Sequence, residues 1–295
     1  MTKRAPIFLT KLRLVAPNLL FISWLLNCGA VVADTVGLEI QYPTAWQGRW
    51  IQGGLLVGVA PEGHKVLYRG TALPLTSGGQ FIVGLSRNAT QTAEIVYVKP
   101  DNTRYSQSFH VDNRNYETQI INGVPQDKVM PPQSALERIA SDSNAVKEAR
   151  KKITEHEWFV DGFIRPLNGP ITGVYGSQRI YNGIPKQPHY GVDYAAPKGT
   201  RVRAPAGGIV TLADQDMYFS GGTIIVDHGH GLSSTFLHLS KILVKPGIFV
   251  YRGMEIAEVG ATGRATGPHL DWRMNWRDVR IDPLLVLEAL PFTKE

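Results

Sequence analysis

Cysteine is almost absent from these 295 residues: Cys28 is the only one. Acid is absent from the first 33 residues, which hold Lys3, Arg4, Lys11 and Arg13. Without that segment the remaining chain has no cysteine, so no disulfide can staple it, and its stability must come from packing or from a metal. A strong excess of one charge is also missing. The whole chain carries a formal +6, but the four basic residues of the opening segment leave the rest at about +2. That balance gives no reason to expect a nucleic-acid partner.

The opening segment pairs its basic residues with an apolar run from Leu14 to Ala33. Small residues at Val31-Val32-Ala33 precede Asp34, so residues 1–33 read as an export signal cleaved after Ala33 and the mature protein as periplasmic. Two alternatives stand beside this. The run is about long enough for an uncleaved, periplasm-facing membrane anchor, although Pro17, Asn18 and Asn27 weaken it. Leu25-Leu26-Asn27-Cys28-Gly29 places a cysteine where a lipoprotein signal would, with Asn27 a poor residue before it.

At this length two domains are expected. Residues 34–122 show short alternating runs broken by turn residues. The predicted strands are Gly53–Ala60, Gln80–Leu85, Ala93–Val98, Tyr105–Val111 and Glu117–Ile121, with a hairpin-type turn at Pro100-Asp101-Asn102-Thr103. Their spacing predicts an immunoglobulin-like β-sandwich without a cysteine staple. His64 and His110 are isolated there and read as ordinary surface or strand residues.

Residues 123–160 read as a proline-rich linker and a helix. Ser134-Ala135-Leu136-Glu137 has the form of a capping box, and Leu136, Ile139, Val146, Ala149 and Ile153 follow at near-helical spacing, which predicts about 20 helical residues. His156-Glu157 suggests a zinc-binding H-E-x-x-H, but position 160 is Val160. That reading fails.

Residues 161–290 read as a compact all-β domain, with strands at Thr223–Val226, Ser234–Leu237 and Met254–Val259. Five of the eight histidines fall after residue 188. His189 and Asp193 would lie about 13 Å apart on a straight strand, so they meet at one metal only if the chain bends, for which Gly191 is the place. His228-x-His230 lies among glycines just after a strand and reads as a tight turn. His238 is either a satisfied core histidine or a proton handler beside a metal. His269 and Asp271 flank Leu270 and would share one face of a strand, either as a solvated hydrogen-bonded pair or as part of a site.

His189-x-Gly-x-Asp193, Ala204 to Val210, Asp227-His228-Gly229, His238-Leu239-Ser240, Val259 to Gly263 and Gly267-Pro268-His269-Leu270 resemble, in order and spacing, the lysostaphin-like, LytM-type zinc metallopeptidases. The resemblance runs from about residue 164 to residue 283. The front half is similar, less specifically, to exported Gram-negative members with an N-terminal β domain. The fold class it implies is mainly β: an Ig-like sandwich, a helical linker and a LytM-type all-β metallopeptidase domain. The function it implies is hydrolysis of peptide cross-links in bacterial peptidoglycan by a metal-activated water. His189 and Asp193 match the family's first two zinc ligands, and His238 and His269 match the histidines that handle protons or stabilise the oxyanion. Arg179 and Tyr175 lie close enough in sequence to contact an anionic peptide stem, or to serve packing and salt bridges.

The third ligand position, histidine in the family, is Asp271 here. Aspartate is an admissible zinc ligand, and a His/Asp/Asp set fully neutralises Zn²⁺, which weakens the Lewis acid and tolerates Mn²⁺ or another divalent metal better. On this reading Asp271→His retains or raises activity. The alternative is a non-catalytic LytM-like regulator that binds and activates a cell-wall amidase.

Overall fold

The strands of the front unit are Leu55–Val59 (β1), Lys65–Tyr68 (β2), Thr71–Ala72 (β3), Gln80–Gly84 (β4), Thr92–Val98 (β5) and Arg104–His110 (β6). In β5 the buried residues Ala93, Ile95 and Tyr97 alternate with Thr92, Glu94 and Val96, the period-2 pattern of a strand with one wetter face. These elements come from a computed structural model that describes residues 46–293. The expected export leader lies outside the described residues. Strands β3-β2-β5-β6 form one antiparallel sheet and β1-β4 another, with Leu55, Phe81, Ile95 and Tyr97 in a shared core. Asn102 takes φ 66° in the hairpin between β5 and β6, where Asp101 Oδ1 accepts from the Thr103 amide at 2.8 Å. Strands β2 and β3 were not legible in the sequence pattern.

Thr118–Ile121 (β7), expected to close the front unit, instead pairs in parallel with Gln178–Tyr181 of the back half. The linker continues through Gln126–Val129 (α1) to the helix Leu136–Lys151 (α2), which has 16 residues. The capping box does not form. Pro132 leads into a 3₁₀ turn over Gln133–Ala135, so Ser134 lies inside that turn and Ala135 occupies the cap position without a side-chain bond. No residue of α2 is fully buried. Polar bonds dock it instead: Arg150 donates to Thr235 Oγ1 at 2.6 Å, and Asp142 accepts from the Tyr218 amide at 2.7 Å.

The back half holds Ile171–Gly173 (β8), Gln178–Tyr181 (β9), Ile184–Pro185 (β10), Val192–Ala195 (β11), Arg201–Arg203 (β12), Gly208–Met217 (β13), Gly221–Asp227 (β14), Leu232–Ile242 (β15), Phe249–Val250 (β16), Glu255–Val259 (β17), His269–Trp276 (β18) and Val279–Ile281 (β19). All but β9 and β10 belong to one sheet, whose main path runs β16-β13-β14-β15-β18-β11-β8. Two of the three strands expected here lie within β14 and β15, and the third coincides with β17 apart from Met254. In β18 Leu270, Trp272 and Met274 are buried with Phe236 and Tyr194 on one face, which leaves Asp271 and Arg273 on the other. Pro283–Ala289 (α3) ends the fold; Pro283 fills its first position and Asp282 caps it by accepting from the Leu284 amide at 2.9 Å.

The described residues belong to one compact unit. A single apolar cluster runs through both halves, with Gly84 of β4 against Trp276 and Ile281. Arg114 closes the seam by pairing with the buried Asp282 at 2.8 Å. The overall class is mainly β, as expected.

Candidate metal centre

Strands β11 and β18 are antiparallel neighbours in a register that sets Asp193 directly opposite Asp271. Cross-strand partners lie about 5 Å apart at the backbone, so two carboxylates on one face must meet. His189 arrives from the turn before β11, its amide held by the Ser177 carbonyl at 2.8 Å. Gly191 makes that approach possible: a side chain there would overlap Asp271 Oδ1 and Arg273 Cγ. The bend inferred from sequence therefore exists, and its requirement is space. Gly173 has the same role behind Asp193, where a Cβ would strike Asp193 Oδ2 and the Arg179 guanidinium.

His189 Nε2 lies 3.0 Å from Asp193 Oδ1 and 3.4 Å from Asp271 Oδ2. With metal–ligand bonds of about 2.0–2.2 Å, donor atoms of a tetrahedral site sit roughly 3.3–3.5 Å apart, and the three candidate atoms here all lie within 4.8 Å of one another, close enough to close on one ion. The ring's Nδ1 donates to the Val174 carbonyl at 3.3 Å, which orients Nε2 inward as its lone-pair nitrogen. His189 Nε2 and Asp193 Oδ1 are buried and find no hydrogen-bond partner outside this trio. A buried ring nitrogen and a buried carboxylate oxygen converging with a second carboxylate fit a divalent cation.

A guanidinium backs each carboxylate. Arg179 donates to Asp193 Oδ2 at 2.8 Å. Arg273 grips Asp271 through both carboxylate oxygens, at 2.6, 3.0 and 3.1 Å. Burial opposes ionisation of Asp271, yet Arg273 and then His189 hold it well below the usual carboxylate range. Burial and the Asp271 charge also oppose ionisation of Asp193, and His189 and Arg179 outweigh them and lower it. At His189 burial disfavours the cation, but Asp271 and Asp193 prevail and raise its pKa. The field that draws a proton to Nε2 is the field a metal ion would meet.

His238 and His269 face each other across the same cleft, ring centroids 4.8 Å apart. His238 has φ 64° and donates from Nδ1 to the Thr262 carbonyl at 2.8 Å; burial pushes its pKa down to about 4. It is therefore a neutral ring whose Nε2 carries a lone pair. His269 donates from Nδ1 to the Gly267 carbonyl at 2.8 Å and puts Nε2 4.0 Å from Asp193 Oδ1. The structure thus gathers all five residues singled out from the sequence around one cleft of about 390 Å³. Gln119 and Ile121 of β7 and Val124 of the linker form part of its wall.

Residues 187–283 match peptidase family M23. This chain carries an M23 peptidase domain. The chain is 35% identical over 151 residues to the peptidoglycan DD-endopeptidase ShyB of Vibrio cholerae, covering 51% of this chain and 31% of that relative. It is 44% identical over 87 residues to ShyA of the same organism, a peptidoglycan DD-endopeptidase, covering 30% of this chain and 20% of ShyA. The chain thus spans less than a third of the length of these curated relatives. Among solved structures, the crystal structure of an M23 peptidase homologue from Pseudomonas aeruginosa superposes with a TM-score of 0.64 at 29% identity, covering 83% of this chain and 97% of that one.

Several residues singled out earlier lie elsewhere or act differently. Tyr175 is 1% exposed and donates its hydroxyl to the Arg280 carbonyl at 2.8 Å, a packing role away from the cleft. Arg179 lines the cleft but is engaged by Asp193. His228 and His230 lie in the turn between β14 and β15, as their glycines implied. His156 stacks on Trp158 at 4.0 Å, and Glu157 binds Ser77, so neither approaches the M23 site. The sequence reading passed over Arg273 and Arg264. The period-2 spacing of Arg273 from Asp271 on an inferred strand was the available signal for the first; Arg264 left none.

Proposed function

We propose that the protein is an exported zinc-dependent endopeptidase that hydrolyses peptide cross-links of peptidoglycan. The observation that carries this reading is the convergence of His189, Asp193 and Asp271, whose ligand atoms lie within 4.8 Å of one another, two of them with no partner outside the trio. The names of the relatives ShyA and ShyB support the substrate class. Export rests on the leader read at residues 1–33.

His189, Asp193 and Asp271 would hold the zinc. When bound, it supplies a Lewis acid for the scissile carbonyl and an acidified water. Around it the chain's own groups have separable tasks. His238, neutral and with its Nδ1 proton committed to Thr262, offers Nε2 as acceptor for the proton released on attack. His269, within ring contact of His238 and with its Nδ1 proton held by Gly267, would first take up a proton at Nε2 and then return it to the leaving nitrogen or donate it to the oxyanion. Arg179 and Arg273 fix the orientation of the two carboxylates and offset their like charge, which two carboxylates this close otherwise resist.

Arg273 also changes the expectation for a histidine at position 271. An imidazole there would leave the guanidinium beside the metal without its carboxylate. A second reading draws on the same pairs: with Arg179 on Asp193 and Arg273 on Asp271 the cluster is electrically balanced without any cation, as a non-catalytic regulator of a wall amidase would allow. Digestion of isolated sacculi by the metal-loaded protein, with fragments identified by mass, separates the two. Release of peptides cut at the cross-link supports the enzyme; intact sacculi at stoichiometric metal overturn it in favour of the regulator.

A further inference from the structure

The ionic groups lining the cleft are Asp193, Asp271, Arg179, Arg273 and Arg264. Four of them form the two pairs already described. Arg264 is left over, with no carboxylate within 4.0 Å among the described residues. It is placed with care for an unpaired cation. Its amide donates to the Phe219 carbonyl at 2.7 Å, and its guanidinium lies over Phe219 at 4.6 Å and Tyr181 at 5.0 Å. Both aromatic rings lie against the guanidinium and restrict its freedom, while its N–H groups remain able to meet a planar acceptor. Its guanidinium reaches the Lys128 carbonyl only at 3.5 Å.

Charge adds to the argument. With neutral histidines the cleft groups sum to one excess positive charge, and a bound divalent cation raises the excess to three. A walled cleft with such a field concentrates anions and disfavours cationic peptides. A guanidinium fork held flat is matched bidentately by a carboxylate.

We propose that Arg264 is the receptor for a carboxylate of the peptide substrate, so that this cleft selects peptides bearing a free carboxylate close to the scissile amide. This rests on the peptidase reading above. Two sources share the chemistry: the carboxylate of a diaminopimelyl residue at a cross-link, and the free C-terminal carboxylate of an uncross-linked stem.

The test compares the full zinc-loaded protein with its Arg264→Gln and Arg264→Lys variants. The substrates are a tetrapeptide-dimer muropeptide, free or amidated at the diaminopimelyl carboxylate, and a pentapeptide monomer, free or amidated at its C-terminus. Arg264→Gln is expected to lose about 10- to 100-fold in kcat/KM on the recognised free acid, mainly through KM, because a charge-assisted bond is lost. Amidation should cost the parent protein a similar factor and the glutamine variant almost nothing. The lysine variant should recover part of the loss, which rules out a merely structural defect. Sensitivity in the dimer alone, the monomer alone or both assigns the source, and each supports the receptor. Equal losses on free and amidated substrates, or no loss, overturn it. Calorimetric binding of the same four peptides to the metal-free protein reads the receptor apart from turnover. If the parent cleaves none of them, the peptidase reading fails, whereas selective loss of carboxylate binding in Arg264→Gln still identifies the receptor; binding that ignores the variant and the amidation overturns it.

Discussion

His228, in the turn between β14 and β15, and His189, in the cleft, are both buried, and their surroundings differ in one respect. Both ring nitrogens of His228 are occupied, Nδ1 by the Gly207 carbonyl at 2.7 Å and Nε2 by the Ser234 hydroxyl at 2.8 Å. One ring nitrogen of His189 is occupied and the other meets only carboxylates. Burial alone therefore does not mark the site. A buried ring nitrogen that meets two carboxylates at once does.

The largest expected effect breaks the comparison at the cleft. His189→Ala should lose stoichiometric metal and at least about 1,000-fold in sacculus digestion, since an open three-ligand site becomes a two-ligand one. His228→Ala should keep its metal content and instead lose about 2–4 kcal/mol of stability, having emptied a buried, doubly bonded position. Metal analysis and thermal melts of the two variants side by side read this directly.

Next in size are changes at the Asp271–Arg273 pair. Asp271→Asn leaves the Arg273 guanidinium without its charge partner, and the metal-free protein should lose about 3 kcal/mol. Asp271→His should bind zinc roughly 10–100-fold more weakly than the parent while Arg273 remains, because a ligand's supporting partner has become a repelling charge. The double change Asp271→His with Arg273→Gln should regain most of that affinity. Titration against a competing chelator measures both; tight binding by the single variant would show that Arg273 does not bear on the third ligand.

How far the sequence reached follows from these same residues. That His189, Asp193, His238, His269 and Asp271 belong together was legible because side chains able to bind a metal or carry a proton are of few types, at spacings that a resemblance could order. The period-2 strand reading placed Asp271 opposite the core-facing Leu270, and the register of β11 against β18 confirmed that geometry. Arg273 went unread because one side chain's ion pair depends on the depth of the cleft, which periodicity does not encode. Arg264 depends on Phe219 and Tyr181, contributed by two distant segments. Local signals failed where a neighbour intervened: Ser134 had capping chemistry, but the chain after Pro132 entered a 3₁₀ turn first. β7 carried a strand pattern, yet its partner β9 lies in the other half of the chain.

The smallest expected effect sharpens the comparison from the turn side. Burial pushes His228 down to about 4 from the ordinary 6.5. Its folded pKa lies below its unfolded one, so its contribution to stability is full above about pH 6.5 and falls as pH drops toward 4. His228→Gln should be less stable at neutral pH and show a shallower decline across that window in thermal melts. An unchanged slope would mean that His228 takes up its proton without cost to the fold.

The central claim is that His189, Asp193 and Asp271 hold one metal ion. The direct measurement is metal content per chain after zinc loading and gel filtration, for the parent protein and Asp271→Ala. One equivalent in the parent and a substoichiometric trace in the folded variant are predicted. A parent protein without stoichiometric metal, or a variant that retains a full equivalent, would contradict it.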